Sequence, residues 1–155
     1  MVINMNLLKR FFIRAFQKVM YVASFLLSFR EPVIIKGENS FENLTKLLKS
    51  YNKKNVLLVT DNTLHNLKMD EKIYTFFIKE NLNYTLFYNV DANPTINQVE
   101  EGVKVYLSNK CDCIVVIGGG SPMDCAKAIG ARVSNPKKSI SKMKGILKVR
   151  KKLPL

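Results

Sequence analysis

The chain has 155 residues, of which 47% are hydrophobic, 24% are charged and 10% are aromatic. This length and composition exclude a disordered chain, a collagen and a disulfide-stapled miniprotein, and they predict one globular domain. The formal net charge of +13 is distributed unevenly, because residues 1–30 and 126–155 carry cations and no acid, whereas residues 31–125 hold more acids than cations. The basic surplus therefore belongs to the two ends of the chain.

Cysteine and histidine content limits the metal and redox chemistry that can be predicted. Cys111, Cys113 and Cys125 are an odd number of cysteines in a sequence without a convincing export signal. We therefore expect reduced thiols and a cytoplasmic protein. His65 is the only histidine and no second close pair of cysteines exists, so the sequence does not predict a closed zinc site with four ligands.

Residues 1–30 are predicted to form an amphipathic helix, because apolar and polar residues separate at helical spacing. The apolar side holds Leu8, Phe11, Phe12, Ala15, Phe16, Val19, Val22, Ala23 and Leu26, and the opposite side holds Arg10, Arg14, Gln17 and Lys18. The uncharged run is far shorter than the roughly 20 residues of a membrane span. We expect the apolar stripe to pack on a domain or a partner, and the alternative is that it lies in the headgroup layer of a membrane.

From residue 32 onward, short apolar runs alternate with longer segments of helical period, which is typical of parallel α/β architecture. The predicted strands are 32–36, 56–60, 84–88 and 113–117. The last of these runs is apolar on both faces, so we expect it at the centre of a sheet that is covered by helices on both sides.

Three helices are predicted between these strands. Ser40 is expected to cap the first, and the second extends to about residue 80; Thr95 is expected to cap the third, with Gln98 completing a capping box. The residues predicted to face inward are Phe41, Leu44, Leu47, Leu48 and Tyr51 in the first helix, Ile73, Phe76 and Phe77 in the second, and Val99, Val103, Tyr106 and Leu107 in the third.

Residues 118–127, with the sequence Gly-Gly-Gly-Ser-Pro-Met-Asp-Cys-Ala-Lys, follow a buried strand and open a helix. Consecutive glycines allow positive φ and remove every Cβ, so a ligand can approach main-chain N–H groups closely. Ser121 suits the helix cap, Pro122 the first helical position and Asp124 the third, where its carboxylate can satisfy a free amide. The N terminus of such a helix offers unpaired donors and a partial positive charge to a phosphate or pyrophosphate.

This segment matches neither of the two common phosphate motifs. Met123 occupies the last position of a G-x-G-x-x-G motif, and no Gly-Lys-Ser/Thr ends the loop as in a Walker A motif. On spacing alone, an anion-binding turn and a tight strand-to-helix turn with a capping serine both fit. Asp124 can likewise be a local cap, and Lys127 can be a solvated side chain.

The sequence Gly-Gly-Gly-Ser-x-x-Asp-x-x-Lys at 118–127 resembles the motif of the iron-containing alcohol dehydrogenase family. Residues 56–61, Val-Leu-Leu-Val-Thr-Asp, resemble the family's first cofactor-binding strand, residues 93–95 its Asn-Pro-Thr turn, and residues 135–136 the turn that leaves the glycine-loop helix. The resemblance extends from about residue 32 to the end of the sequence.

The resemblance implies an NAD(P)-dependent enzyme that transfers hydride between a nicotinamide and a small alcohol or aldehyde. It implies a Rossmann-like, mostly parallel sheet flanked by helices that holds the dinucleotide, and a separate helical domain that holds a divalent metal, iron. Carried over by position, the cofactor-binding residues are Asp61, Asn93, Gly118, Gly119, Gly120, Ser121 and Asp124. Gly119, Gly120 and Ser121 would hold the pyrophosphate, and Asn93 would line the nucleotide cleft.

Asp61 would accept hydrogen bonds from the adenosine ribose hydroxyls. An acidic group there disfavours a 2′-phosphate by like-charge repulsion, so NAD is expected rather than NADP. Without the resemblance, a simple turn residue is an equal alternative for Asp61. His65 is expected to be a lone surface histidine in the following loop.

The sequence departs from the family in its extent. The family's metal ligands, an Asp and several His, have no counterparts in a sequence with one histidine, and its helical metal-binding domain is absent. We therefore predict an N-terminal helix at 1–30, a dinucleotide-binding α/β domain at 31–134 and a basic connector at 135–155. This organisation predicts the NAD-binding half of an alcohol dehydrogenase, inactive alone.

Two other classes of function stay open. One is a nucleotide-binding module without catalysis, and the other is a basic protein that binds a polyanion or a membrane surface through its two ends. Recognition of single-stranded nucleic acid is not favoured, because residues 126–155 lack aromatic side chains for stacking. A homo-oligomer is compatible with the sequence.

Overall fold

The structure is a computed structural model of the chain, and it describes residues 7–26, 32–144 and 149. The chain divides into two compact units, Met1–Pro32 and Val33–Leu155. In the first unit, helix α1 spans Leu7–Leu26, so the predicted amphipathic helix is confirmed over these residues; the rest of the predicted segment 1–30 lies outside the described residues. None of the described helices combines the length and hydropathy that crossing a membrane requires.

The second unit alternates helices and strands. Its elements are α2 (Ser40–Ser50), β1 (Asn55–Val59), α3 (Asn62–Asn66), α4 (Glu71–Lys79), β2 (Asn83–Phe87), α5 (Ile96–Ser108), β3 (Cys113–Val116), α6 (Gly120–Ser134) and a 3-10 helix (Ile140–Met143). The three strands form a parallel sheet in the order β2-β1-β3, in which Val56 pairs with Tyr84 on one side and with Cys113 on the other. The predicted α/β class with a parallel, helix-flanked sheet is confirmed.

Strand β1 is the centre of this sheet. Residues 56–59 are completely buried, because successive side chains of β1 enter two hydrophobic cores on opposite faces. Val56 and Leu58 pack on the side of α2 and α4, with Leu48, Ile73 and Phe77. Leu57 and Val59 pack on the side of α5 and α6, with Val99, Val103, Cys125 and Ile129. Burial of each such side chain contributes about 1.5–3 kcal/mol.

The prediction that 113–117 is the central strand is wrong within residues 32–144. The chain leaves β1 for β2 through α3 and α4, and it then returns past β1 through α5 to form β3. β3 therefore pairs with β1 alone among the described strands, and Ile114 and Val116 are only partly buried.

The predicted strand at 32–36 is also wrong, because these residues have no regular secondary structure. A strand needs a hydrogen-bonding neighbour, and no described strand lies beside them. Val33 and Ile34 are 51% and 69% exposed, which shows that the apolar character of the segment is not used in the described core.

Helix boundaries follow the prediction at α5 and depart from it at α2 and α4. Thr95 caps α5, and Gln98 completes the capping box as expected. Ser40 is the first residue of α2 and not its cap, since the cap position belongs to Asn39, which makes no side-chain capping bond. The helix predicted to reach residue 80 is divided into α3 and α4 by a turn in which Lys68 has a φ of +57°. Leu107 is exposed, because it lies beyond the edge of the buried face of α5.

Candidate functional site

The carboxyl ends of β1 and β3 lie side by side, with Val59 paired with Val116, and a parallel sheet forms a crevice at such a place when the two connections that follow diverge. The segment that follows β1 runs to the face of the sheet covered by α2 and α4, whereas the segment that follows β3 runs to the face covered by α5 and α6. Adjacent parallel strands whose connections diverge in this way form a topological switch point, where α/β proteins bind ligands. The residues at this point are Thr60 and Asp61 after β1 and the glycine segment after β3.

Asp61 and Gly118 meet across the crevice. The Asp61 Oδ1 accepts a hydrogen bond of 2.9 Å from the Leu64 amide and so caps α3. Its Oδ2 lies 3.5 Å from the place that a Cβ on Gly118 would occupy. The fold therefore brings together two of the predicted cofactor-binding residues that are 57 positions apart, and the capping bond shows that Asp61 also has the local role open to a turn residue.

Glycine is required at position 118 by the protein itself. Gly118 has a φ of +148°, and a Cβ there would lie 2.8 Å from the Cγ of Pro122. Both the backbone conformation and the close approach of Pro122 exclude a side chain without rearrangement.

Gly119 and Gly120 differ from Gly118 in both respects. Gly119 has a φ of −87°, neither residue adopts the left-handed region, and a Cβ at either position would meet no atom within 4 Å. Backbone geometry and internal packing thus leave the absence of a side chain unexplained at these two positions. An open space in front of a bare backbone is the arrangement that a closely approaching ligand needs.

Helix α6 begins at this bare backbone. Gly119 occupies the cap position without a side-chain capping bond, and Gly120 is the first helical residue. The first intrahelical bond runs from the Met123 amide to the Gly119 carbonyl at 3.3 Å, which leaves the amides of Gly120 and Ser121 without intrahelical partners. These amides and the helix dipole favour a negatively charged group at this end of α6.

Ser121 and Pro122 are each displaced from their predicted positions, because the helix begins two residues earlier than expected. Ser121 does not cap α6, and its hydroxyl instead donates a hydrogen bond of 2.5 Å to the carbonyl of Ala92. Pro122 is the third helical residue and not the first. A proline is tolerated there because the amides of the first turn have no intrahelical acceptor.

Asn93 and Asp124 have different positions with respect to the crevice. Asn93 follows Ala92, so the bond from Ser121 places the Asn-Pro-Thr turn beside the start of α6, where it borders the crevice. Asp124 is exposed and pairs with Lys127 at 3.4 Å. The expectation that its carboxylate satisfies a free amide of the helix is therefore wrong, and its exposed ion pair contributes little to stability.

A buried polar cluster next to the crevice is absent from the sequence-based prediction. The completely buried Asp70 accepts at Oδ2 from the Tyr74 hydroxyl and, at 2.8 Å, from the Nδ1 of His65. His65 lies in helix α3, and its ring stacks on Tyr88 with 4.2 Å between centroids. His65 is therefore not a lone surface residue. The Asp70–Tyr74 spacing of four residues, which places two side chains on one helix face, is the signal in the sequence that identifies half of this cluster.

Hydrogen bonding sets the charge state of this cluster. Burial opposes ionisation of Asp70, but the hydrogen bonds from Tyr74 and His65 outweigh it and lower the pKa of the carboxyl below its usual value. Burial and the adjacent Asp70 carboxylate raise the pKa of Tyr74. Because an ionised Asp70 can only accept, the Nδ1 of His65 is the donor in their hydrogen bond.

The described residues do not provide the iron site that the resemblance implies. Among residues 7–26 and 32–144, no three His, Cys, Asp or Glu side chains are grouped as metal ligands. The three cysteines are free and buried. Burial raises the pKa of the Cys125 thiol to about 11 and, with the adjacent Asp112, that of the Cys113 thiol to about 12. These thiols are therefore protonated at neutral pH, which makes them poor nucleophiles.

Comparison with known proteins agrees with the fold. The NAD-dependent methanol dehydrogenase of Bacillus methanolicus is 35% identical over 107 residues, which cover 69% of this chain and 28% of that protein. The lactaldehyde reductase of Escherichia coli is 35% identical over 100 residues, which cover 64% of this chain and 26% of that protein. The solved alcohol dehydrogenase from Oenococcus oeni matches with a TM-score of 0.73 and 28% identity, over 82% of this chain and 34% of that one.

The chain spans less than a third of the length of these two curated relatives. The family described as iron-containing alcohol dehydrogenase matches residues 32–155, which include the whole of the described sheet and the crevice. The chain therefore belongs to the iron-containing alcohol dehydrogenase family and contains the N-terminal α/β part of the family domain.

Proposed function

We propose that this chain binds NAD in the crevice between the carboxyl ends of β1 and β3, as the cofactor-binding part of an enzyme that transfers hydride between NAD and a small alcohol or aldehyde. The observation that carries the proposal is the pair Gly119 and Gly120, where neither backbone conformation nor packing requires glycine. The names of the relatives, an NAD-dependent methanol dehydrogenase and a lactaldehyde reductase, support the chemistry.

The residues of the crevice fit a pyrophosphate. The amides of Gly120 and Ser121 would donate to its oxygens at the positive end of the 15-residue helix α6, and the absence of Cβ atoms would let the anion approach the backbone. The Ser121 hydroxyl is bonded to the Ala92 carbonyl, so its role is to hold the start of α6 beside the segment that follows β2. When bound, NAD supplies the nicotinamide ring that accepts or donates the hydride.

Asp61 would select the adenosine ribose. Its Oδ1 is occupied by the Leu64 amide, whereas Oδ2 faces Gly118 and is placed to accept from a ribose hydroxyl at the edge of the crevice. A 2′-phosphate at the same place would be repelled by the carboxylate, so we propose a preference for NAD over NADP.

We assign cofactor binding and not turnover to this chain by itself. The crevice that we assign to the cofactor is made of described residues, and these contain no group of three metal-ligating side chains that would hold the iron. The substrate alcohol would be bound by residues outside the described crevice. The chain has three buried, protonated thiols, those of Cys111, Cys113 and Cys125. Such thiols fit the reducing cytoplasm, which is the compartment that we propose.

Fluorescence titration of the purified chain with NADH tests the proposal. We expect saturable binding, and we expect Gly120→Val to weaken it at least about tenfold, because the new side chain would fill the space that the pyrophosphate needs. Ser108→Val is the matched control, since Ser108 is an exposed residue at the C-terminal end of α5, away from the start of α6. The Ser108→Val chain should bind NADH like the wild type. Absence of saturable binding, or a Gly120→Val chain with wild-type affinity, would contradict the proposal.

A further inference from the structure

Helix α1 lies outside the family match, which begins at residue 32. The proposed cofactor site therefore does not explain it. We propose that α1 lies along the surface of an anionic lipid bilayer, with its apolar face in the headgroup layer and its cations against the lipid phosphates.

The apolar face of α1 is wide and exposed. At 100° per residue, one side of the helix carries a set of apolar side chains that comprises Phe11, Phe12, Ala15, Phe16, Val19 and Val22. The three phenylalanines and two valines of this set are each between 62% and 70% exposed. A face of this size, with three aromatic rings, provides the apolar area that an interfacial helix buries at the boundary between headgroups and acyl chains.

The charges of α1 complement an anionic surface. The helix carries Lys9, Arg10, Arg14 and Lys18 and no acidic residue. Arg10 and Arg14 lie opposite the apolar face and Lys18 at its border, where long side chains can reach lipid phosphates while the rings are inserted. Among the described residues, no carboxylate pairs with any of these four cations.

An anionic bilayer uses both properties of α1, whereas a second copy of α1 and nucleic acid each use one. A second copy of α1 would bury the apolar face but would bring two sets of four cations together without an acid to neutralise them. Nucleic acid would pair with the cations but would leave the phenylalanines in water. The described part of α1 does not combine the length and the hydropathy that crossing a membrane requires. The combination therefore favours an orientation parallel to the membrane.

Vesicle co-sedimentation of the full 155-residue chain tests the proposal, with vesicles of phosphatidylglycerol and phosphatidylcholine and with vesicles of phosphatidylcholine alone. We expect binding to the anionic vesicles and much weaker binding to the neutral ones. Phe12→Ser combined with Phe16→Ser should weaken binding at least about tenfold, because two rings are lost from the inserted face. Arg10→Gln combined with Arg14→Gln should weaken binding and reduce its salt dependence. Gln17→Ser, a change on the polar face, should have no effect.

Insertion of the apolar face has a direct spectroscopic readout. The chain contains no tryptophan, so Phe16→Trp creates a single reporter. We expect its emission to shift to shorter wavelength when anionic vesicles are added and to stay unchanged with lipid-free buffer.

Four results would overturn the proposal. The first two are an absence of binding to anionic vesicles and an unshifted Trp emission on binding. The third is binding that salt abolishes and the double phenylalanine change leaves intact, which would assign it to the cations of residues 126–155. The last is a lipid-free dimer that the double phenylalanine change dissociates, or a thermal unfolding temperature of the α/β unit that this change lowers. Either result would show that the apolar face packs against protein.

Discussion

The carboxylate of Asp61 and the α-carbon of Gly118 face each other across the crevice between β1 and β3, with 3.5 Å between Oδ2 and the place of a Cβ on Gly118. The same Cβ would lie 2.8 Å from Pro122. The three neighbouring glycines thus have separable roles. Gly118 is needed for the turn itself, whereas Gly119 and Gly120 leave open space in front of the backbone.

Gly118→Ala should therefore lower the stability of the fold, whereas Gly119→Ala should weaken cofactor binding and leave the stability unchanged. The first substitution forces a side chain into a φ of +148° and against Pro122, and we expect it to lower the free energy of unfolding by about 2–4 kcal/mol. The second meets no atom within 4 Å and should change the free energy of unfolding by less than about 0.5 kcal/mol while weakening NADH binding. Urea unfolding and NADH titration of the two variants measure this. Equal losses of stability would show that the two glycines serve the same structural purpose.

Asp61→Ser separates the ribose role of Asp61 from its role as the cap of α3. Serine is also a good cap, so the fold should be kept, whereas the carboxylate that repels a 2′-phosphate is removed. We expect the ratio of NADH to NADPH affinity to fall about tenfold, equivalent to about 1.4 kcal/mol.

Parallel titrations with NADH and NADPH check this ratio. Glu42→Gln is the matched control, because it removes an exposed carboxylate that pairs with Lys46 on α2, away from the crevice. Two results would show that Asp61 does not contact the ribose. One is an unchanged cofactor preference in Asp61→Ser, and the other is an equal change of preference in the control.

The buried Asp70 should stabilise the fold in a pH-dependent way. Because its folded-state pKa is lowered by Tyr74 and His65, its contribution is present above the unfolded pKa of about 3.9 and is lost as pH falls through the folded value. We expect Asp70→Asn to lower the free energy of unfolding by about 1–3 kcal/mol at pH 7, because hydrogen bonds to a charged acceptor are replaced by neutral ones.

Urea unfolding at several pH values measures this difference. It should shrink below about pH 4, while Asp91→Asn, at an exposed carboxyl in the segment after β2, should have little effect at any pH. A difference between the wild type and Asp70→Asn that stays constant down to pH 3 would contradict the assigned charge state.

Buried thiols should be inert in the folded chain. Since burial raises the pKa of all three cysteines, no thiol should react rapidly with Ellman's reagent at pH 8, and all three should react in guanidinium chloride. Counting reactive thiols in both conditions tests this. A rapidly reacting thiol in the native chain would show that one of the cores opens readily.

Local patterns predicted those parts of the site that depend on short stretches of sequence. The order of strand, glycines and helix at 113–134 and the capping box of Thr95 and Gln98 were predictable because each depends on residues close together in the chain. The bond from Ser121 to Ala92 was not, since its partners are 29 residues apart. This bond occupies the hydroxyl that local reasoning assigned to the cap of α6.

Sheet position was likewise beyond local reasoning. Apolar runs at 56–60 and 113–117 look alike in the sequence, and the direction of the connections decides that β1 is central. The apolar run at 32–36 looks like a strand too, but no described strand lies beside it. The partnership of His65 with Asp70 depends on the turn between α3 and α4, whereas the prediction placed His65 in a loop and gave one helix that reached about residue 80.

The most direct test of the account is an NMR titration of the ¹⁵N-labelled chain with NADH, which reports on each backbone amide. We predict that the largest shifts occur at Gly119, Gly120 and Ser121, with smaller ones at Asp61 across the crevice, because these amides surround the proposed pyrophosphate and ribose sites. Shifts confined to the lysine-rich residues 135–155, with the glycine segment unchanged, would show that the cofactor is attracted by surface charge alone and would contradict the proposed site.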